Sequence, residues 1–468
     1  MPSAKLTFCG AARGVTGSCY HLALDGVELL VDCGIFQGAV GDDDADDVNR
    51  RPFPFDPARL AAVVLTHGHV DHCGRLPLLS RRSDGAFRGP VLGHPATLEI
   101  ARIIMADSAK IAQHAHGDPL YDDGDVTDVA RHFQPLKGYR DRRTVGPFTI
   151  ELFDAGHILG SSSVRVSWRD PGAASGERAI LFSGDLGVPD APILRDPNRA
   201  WDPERHTVDW VVTESTYGDK LHPARAEARR TFREVVERAT ADGGKVLIPA
   251  FALGRTQDIL YELDRMIEGG ELRRIPVIID GPLALSATQI YRRHPECYDA
   301  DAMALLERGD HPLELDHLIE ARDPKASRRA VAQHGPAIIV AGSGMCNGGR
   351  ILHHLEEHLG DPRTDVLLVG YQAARTLGRA LQDGAREVRL HRKSIDVRAK
   401  VTTISGFSAH GDRDALAAWH AALPRRDGAT TFVTHGEERS SLPYAQLLGD
   451  RFGARTVVPS LYDTVELG

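Results

Sequence analysis

Apolar positions along this chain follow two different rules, and the change between them divides it. Under the first rule, short apolar runs end in a polar residue beside glycine. Val27 to Val31 precedes Asp32-Cys33-Gly34, and Ala61 to Leu65 precedes Thr66-His67-Gly68. Thr149 to Phe153 leads into Asp154-Ala155-Gly156-His157, Ala179 to Phe182 into Ser183-Gly184-Asp185, and Val208 to Val212 into Thr213-Glu214. Runs of this length bounded by turn residues predict short buried strands that each deliver a polar group at the tip. From about residue 219 the second rule takes over. Helical spacing over Arg225 to Ala241, Arg255 to Ile267, Leu283 to Arg293, Gly349 to His358 and around Arg379 alternates with apolar runs at Val246 to Pro249, Pro276 to Ile279, Ile338 to Ala341 and Val366 to Val369. Such alternation predicts a parallel sheet covered by helices. Near residue 398 the first rule returns: Val401 to Ile404 leads toward His410, and Thr430 to Val433 into Thr434-His435-Gly436. The expected organisation is an α/β domain over 1–218, a second α/β domain over 219–390, and the completion of the first over 391–468.

Some histidine pairs carry little weight. Pro95 to Ala115 places Leu98, Ala101, Ile104, Met105 and Ile111 at helical spacing and reads as scaffold. His114 and His116 near its end are two residues apart and do not share a helix face. His354 and His358, at i and i+4, share one, yet exposed surface is the expected reading for both.

Composition narrows the class. The 468 residues are 42% hydrophobic and 26% charged, ordinary for a globular protein of about three domains. No apolar run approaches the ~18 residues of a membrane span, and Met1-Pro2-Ser3-Ala4-Lys5 leads into strand-like sequence without a signal-peptide core, so a cytoplasmic protein without membrane contact is expected. Cys9, Cys19, Cys33, Cys73, Cys297 and Cys346 form no C-x-x-C pair and are expected to be reduced. A net charge of −9 excludes coating of nucleic acid by bulk electrostatics but leaves room for a local basic groove. The acidic run Asp42 to Asp47 reads as a solvated loop. Of the basic clusters, only Arg386, Arg389, Arg392, Lys393, Arg398 and Lys400 lie near implicated residues in sequence, as a candidate phosphate track.

The densest chemistry is Thr66-His67-Gly68-His69-Val70-Asp71-His72, three imidazoles and a carboxylate within six positions after a buried strand. Imidazole nitrogen and carboxylate oxygen suit zinc, with manganese or iron the alternatives. The His-x-His spacing on a turn lets two rings converge, and Asp71 and His72 point elsewhere, toward a second ion. His157 alone would read as a core histidine; the repeated pattern of strand, glycine and ligand makes it a ligand candidate. Ala341-Gly342-Ser343-Gly344-Met345 is a glycine-rich strand-to-helix turn that can offer backbone N–H groups to phosphate, as Ser343 and Gly344 are expected to do.

Together these residues resemble a β-CASP ribonuclease, the branch of the metallo-β-lactamase superfamily that includes the pre-mRNA 3′-end-processing endonuclease and its bacterial and archaeal relatives. The likeness covers nearly the whole chain. Asp32 fits the first superfamily motif, His67 to His72 the second, His157 the third and Asp185 the fourth. Glu214, His410 and His435 fit the three β-CASP motifs, and Phe251-Ala252-Leu253-Gly254-Arg255, Gly342-Ser343-Gly344-Met345, Gly348-Gly349-Arg350 and Gly370-Tyr371-Gln372 resemble stretches of the inserted domain. One departure is Gly411, where the family often shows alanine.

The resemblance implies an αββα sandwich interrupted by a β-CASP domain with a parallel sheet. It implies two zinc ions per chain, with manganese the alternative: His67, His69 and His157 on one, Asp71, His72 and His435 on the other, Asp185 bridging. Asp32 would orient a ligand, His410 would protonate the leaving oxygen or hold the scissile phosphate, and Glu214 would fix the His410 ring. The implied substrate is single-stranded RNA, cut endonucleolytically or exonucleolytically by a hydroxide shared between the ions during RNA processing or degradation. His435 favours RNA, because DNA-cleaving members usually carry valine there. Self-association into a homodimer is left open. A thioesterase or lactonase of the same superfamily would explain Asp32 to Asp185 but leave Glu214, His410 and the inserted domain without a task. An inactive scaffold subunit would lose ligands, and every ligand is present.

Overall fold

The computed structural model describes residues 3–40, 43–81, 87–114, 118–373 and 375–468. The chain forms two compact units, Met1–Leu221 with His410–Gly468, and His222–Ala409.

The first unit is built on two seven-stranded sheets. Alternating burial along Ala4–Phe8 and Tyr20–Leu24, and near-continuous burial along Val27–Val31 and Leu60–Val64, turn one face of the first sheet inward. Its order continues through Val91–Gly93 to Phe133–Pro135. The second sheet runs from Arg455–Val457 through Arg425–Val433, Val208–Thr213, Glu177–Phe182, Ser162–Arg169 and Phe148–Asp154 to Arg142–Val145. Leu6, Phe8, Val31 and Val64 meet Phe148, Val166, Phe182, Val212 and Phe432 in the core between the sheets. Each fully buried phenylalanine contributes roughly 1.5–3 kcal/mol. Helix Pro95–His114 covers the first sheet through Leu98, Ala101 and Met105, and helices Arg413–Ala422 and Glu438–Phe452 cover the second through Leu416, Trp419, Tyr444 and Leu448. The layers are helix, sheet, sheet, helix, as expected.

Parallel pairing is what gathers the tips. Val27–Val31 runs parallel to Leu60–Val64, with Val31 opposite Val64, so Asp32 and the Thr66 to His72 run leave the sheet at one edge. In the second sheet Phe182 pairs Val212 and Val212 pairs Phe432, both in parallel, which brings the segments of Asp185, Glu214 and His435 to one edge as well.

In the second unit six parallel strands lie in the order Leu318–Ala321, Val277–Asp280, Ala337–Ala341, Lys245–Pro249, Asp365–Leu368, Lys400–Thr403. The last of these corrects an expectation. The Val401 to Ile404 run belongs to this sheet, paired with Asp365–Leu368, and the chain rejoins the first unit at His410 rather than at 391. A strand tip followed by a polar residue reads the same in either sheet. The periodic pattern also passed over Leu318–Ala321 and the hairpin Glu387–Leu390 with Lys393–Asp396. In the expected phosphate track, Lys393 pairs with Glu356, and Arg398 lies 3.4 Å from Asp396.

Two local readings change as well. Asp43–Asp44 is a short strand, and Ala45–Arg50 a short helix capped by Asp44 Oδ1, which accepts from the Asp46 N–H at 2.9 Å; Asp42 lies outside the described residues. His354 is not on the surface. It is fully buried, its Nε2 2.7 Å from Asp280 Oδ2, while Arg350 Nη1 donates to Asp280 Oδ1 at 2.6 Å. His358 is half-buried, and burial pushes its pKa down to about 4. A carboxylate at the end of Val277–Asp280 supplies the partner that helical periodicity alone does not reveal. His116 and the His114 side chain lie outside the described residues.

His420 makes stability pH-dependent. It is fully buried with Nε2 2.9 Å from Thr431 Oγ1, and burial, then the nearby Arg425 charge, lowers its pKa from 6.5 to about 3. A folded pKa below the unfolded one means stability present above pH 6.5 and lost as pH falls toward 3, by up to about 1.4 kcal/mol per pH unit. His420→Gln should flatten the fall of Tm between neutral and mildly acidic pH in chelator-treated protein; an unchanged slope removes His420 as its source.

Candidate metal centre

The site is assembled at the sheet edges of the first unit from backbone that is itself unusual. Asp32 and His435 both adopt left-handed φ, 60° and 47°, so the turn that ends each strand is made at the functional residue rather than only at the neighbouring glycine. Gly34 is required by close approach: a Cβ there would lie 1.6 Å from the Asp71 carbonyl oxygen. With that space open, the Asp71 carbonyl accepts from the Ser18 N–H at 2.8 Å and the His72 carbonyl from the Cys33 N–H at 2.8 Å. The His69 carbonyl begins the short helix Val70–Cys73, which presents Asp71 and His72.

Two groups of side chains converge, and one carboxylate lies between them. His67, His69, His157 and Asp185 bring ligand atoms within 4.8 Å of one another, as do Asp71, His72 and His435. Nitrogen to nitrogen, His67 Nε2 is 3.1 Å from His69 Nδ1, and His69 Nδ1 is 3.2 Å from His157 Nε2. In the other group, His72 Nε2 is 3.2 Å from His435 Nε2. Asp185 Oδ2 faces the first group, 3.5 Å from His67 and 3.7 Å from His157; Oδ1 faces the second, 3.4 Å from His72 and 3.5 Å from His435.

These residues fit a metal. Asp185 Oδ1 is buried without a hydrogen-bond partner, an arrangement that costs about 1–3 kcal/mol or more unless something else satisfies it. The ring spacings also match the edge of a tetrahedron with ~2.0–2.1 Å bonds, roughly 3.3 Å. Burial holds His67 and His69 neutral, the latter down to about 4, the form in which imidazole donates to a metal. Burial opposes ionisation of Asp71, but a hydrogen bond from His435 holds its pKa near 2.

Asp32 does not reach into either group. Its Oδ1 accepts from the Thr66 N–H at 2.8 Å, and its Oδ2 accepts from the Thr66 hydroxyl at 2.8 Å and lies 2.7 Å from His72 Nδ1. It therefore fixes the His72 tautomer, with Nδ1 protonated and Nε2 turned to the centre. The sequence marks Thr66 only by its place between the strand and His67.

Beside the metal groups, Glu214 is clamped by two N–H groups, Leu186 to Oε1 at 2.6 Å and Thr216 to Oε2 at 3.2 Å. Its Oε1 lies 3.4 Å from His410 Nδ1. Gly411 N–H donates to the Leu186 carbonyl at 2.7 Å, tying the His410 segment to the one that follows Asp185. Burial opposes charge on His410, but Glu214 lifts its pKa to about 9, and the side chain keeps 24% exposure. The expected phosphate residues Ser343 and Gly344 belong to the second unit. There the Ser343 hydroxyl is engaged within its own loop, accepting from the Asn347 and Gly348 N–H groups at 3.0 and 3.2 Å.

Imidazoles and carboxylates converging at the strand tips of an αββα sandwich define a metal-dependent hydrolase. The chain belongs to the metallo-β-lactamase superfamily, in its β-CASP branch: its residues 12–250 match the model of that superfamily, 256–381 the β-CASP domain, and 394–459 the Zn-dependent metallo-hydrolase RNA specificity domain. It is 37% identical over 443 residues to Ribonuclease TTHA0252 of Thermus thermophilus, covering 94% of this chain and 95% of that protein. An RNase J-like protein of Methanocaldococcus jannaschii is 31% identical, with 97% of each chain covered. The transcription termination factor FttA of Methanosarcina mazei is 29% identical over 99% of this chain and 71% of its own. A crystal structure of a protein of unknown function from Enterococcus faecalis V583 shares the fold, with a TM-score of 0.58, 12% identity, and 99% and 100% of the two chains covered. Among the described residues no helix is long and apolar enough to cross a membrane.

Proposed function

We propose that this protein is a zinc-dependent ribonuclease that hydrolyses phosphodiester bonds of single-stranded RNA in the cytoplasm. The observation that carries the reading is Asp185 offering one oxygen to each of two ligand groups, with the Glu214 and His410 pair alongside. His67, His69 and His157 would hold one ion, Asp71, His72 and His435 the other, and Asp185 both; zinc fits the donor set, with manganese the alternative. Bound there, the ions would supply Lewis acidity that lowers the pKa of a shared water and neutralises charge on the phosphate oxygens. The RNA specificity domain matched at 394–459 and the ribonuclease names of its relatives support RNA as the substrate.

The chain's own groups do the rest. Asp32 holds His72 in one tautomer through its 2.7 Å contact, so the ring cannot rotate away during turnover. Glu214, fixed by its two N–H donors, engages His410 Nδ1 and leaves Nε2 as the ring atom that delivers a proton to the departing oxygen. No step needs the 2′-hydroxyl, so preference for RNA would arise in binding.

Elemental analysis and cleavage assays test the reading together. Two transition-metal ions per chain and cleavage of single-stranded RNA ahead of duplex DNA of the same sequence are expected; one ion at full activity removes the paired-ion mechanism, and equal rates on both substrates remove the RNA assignment. His435→Ala should lower occupancy to about one ion. Occupancy unchanged at two takes His435 out of the ligand set.

A further inference from the structure

The C-terminal edge of the six-stranded sheet carries a pair of aromatic side chains that the metal centre does not use. Lys245–Pro249 pairs in parallel with both Ala337–Ala341 and Asp365–Leu368, so the loops after these three strands leave the sheet at the same edge. From Lys245–Pro249 the chain goes on to Val277–Asp280, and from Ala337–Ala341 to Asp365–Leu368, in opposite directions along the sheet. By the right-handed crossover rule these connections cover opposite faces, the arrangement that opens a ligand crevice between the ends of adjacent strands.

Phe251 lies two residues past the first strand and Tyr371 three past the third, and they are 50% and 57% exposed. Large aromatic side chains left in water at such an edge are the informative kind of exposure. One glycine of the loop after Ala337–Ala341 meets the Phe251 ring and the residue next to Tyr371. A Cβ on Gly344 would lie 3.0 Å from Phe251 Cδ2, so the phenyl ring sits close against the bare backbone of this glycine. The buried Gln372 amide donates to the Gly344 carbonyl at 3.1 Å and to the Gly370 carbonyl at 3.2 Å, which fixes the loop that carries Tyr371. Behind the loop, Arg350 is itself pinned by Asp280 and the Ala321 carbonyl. The rings are therefore presented from a rigid support.

We infer that Phe251 and Tyr371 form a base-stacking platform for single-stranded RNA on the second unit, beside the Gly342–Gly349 loop. The inference rests on the nuclease reading for RNA as the ligand and adds to it the groups that grip bases. Two exposed rings beside a glycine loop suit a strand whose bases are unpaired, because every base has a π-face and the glycine backbone lets the sugar-phosphate chain come close. Duplex offers no such faces. Binding should therefore depend on the bases being present and unpaired, and hardly on their sequence.

The test is fluorescence anisotropy of a short labelled single-stranded RNA on the full chain, with Asp185→Asn throughout to keep the RNA intact. Phe251→Ala and Tyr371→Ala should each weaken binding by about 5- to 100-fold, the range expected for one lost stack. Phe251→Tyr and Phe251→Trp should bind within a few-fold of the parent. An RNA with an abasic nucleotide walked along it should, at one position, weaken the parent as much as Phe251→Ala does, with no further loss when the two are combined. Unchanged affinity in both alanine variants overturns the platform. So does weakened binding that no abasic position reproduces, since that marks a purely structural role, and so does a parent that does not bind RNA. The nuclease reading fails separately: protein with Asp185 intact that binds this RNA but leaves it uncut removes that reading, and the affinity comparison still decides the platform.

Discussion

His410→Ala is expected to keep its metal and its fold yet slow the cleavage step by about 10²- to 10⁴-fold, the usual worth of a positioned general acid. The geometry behind this is specific. His410 Nδ1 lies 3.4 Å from Glu214 Oε1 and 3.9 Å from Asp185 Oδ2, so the ring touches the metal groups without belonging to either of them. Loss of the ring should leave RNA affinity nearly unchanged. An RNA with sulfur at the leaving position needs less protonation and should recover much of the lost rate, whereas a histidine that only grips the phosphate gives no such rescue. Glu214→Gln should follow the same pattern more weakly, because the amide oxygen can still accept from one of the two N–H donors while the charge facing His410 is gone. Single-turnover rates with metal content measured beside them decide the matter: metal lost in proportion to activity makes His410 a ligand or a structural residue.

Asp32→Asn is the second large effect, about 10- to 100-fold in metal affinity, the usual cost of losing the partner that orients a metal-binding histidine. The substitution is isosteric, but the hydrogen bonding cannot be. Asp32 Oδ1 already takes the Thr66 N–H and Oδ2 takes both the Thr66 hydroxyl and His72 Nδ1, so an amide nitrogen placed toward either partner set faces donors. Competition with a chelator should show the loss, most strongly for the ion that His72 serves. Equal chelator resistance in variant and wild type would mean that His72 is held by its packing alone.

How far the sequence reaches is clearest at particular residues. The His67 to His72 run declares metal chemistry by density, because so many donors within six positions have few other uses. His157 needed the repeated strand-and-glycine pattern to be legible, and Asp32 could be given a supporting role only by resemblance. The role of Thr66 was invisible, since a threonine after a strand is ordinary until its hydroxyl is seen 2.8 Å from Asp32 Oδ2. Helical spacing alone puts His354 at the surface, because it reports which residues share a face but not what that face meets. Asp280, 74 positions earlier, supplies the buried carboxylate that its Nε2 meets at 2.7 Å.

By itself the sequence determined the local events: which runs become strands, where a turn offers a polar tip, and which tips carry donors. Those follow from apolar periodicity and from glycine placement, both properties of neighbouring residues. Only the tertiary structure decided which tips meet. Parallel pairing of Phe182, Val212 and Phe432 brings the segments of Asp185, Glu214 and His435 to one edge although more than 200 residues separate the last two, and parallel pairing with Asp365–Leu368 makes Lys400–Thr403 part of the second unit's sheet. Sheet partners are chosen by packing against distant strands, and no local pattern records that choice.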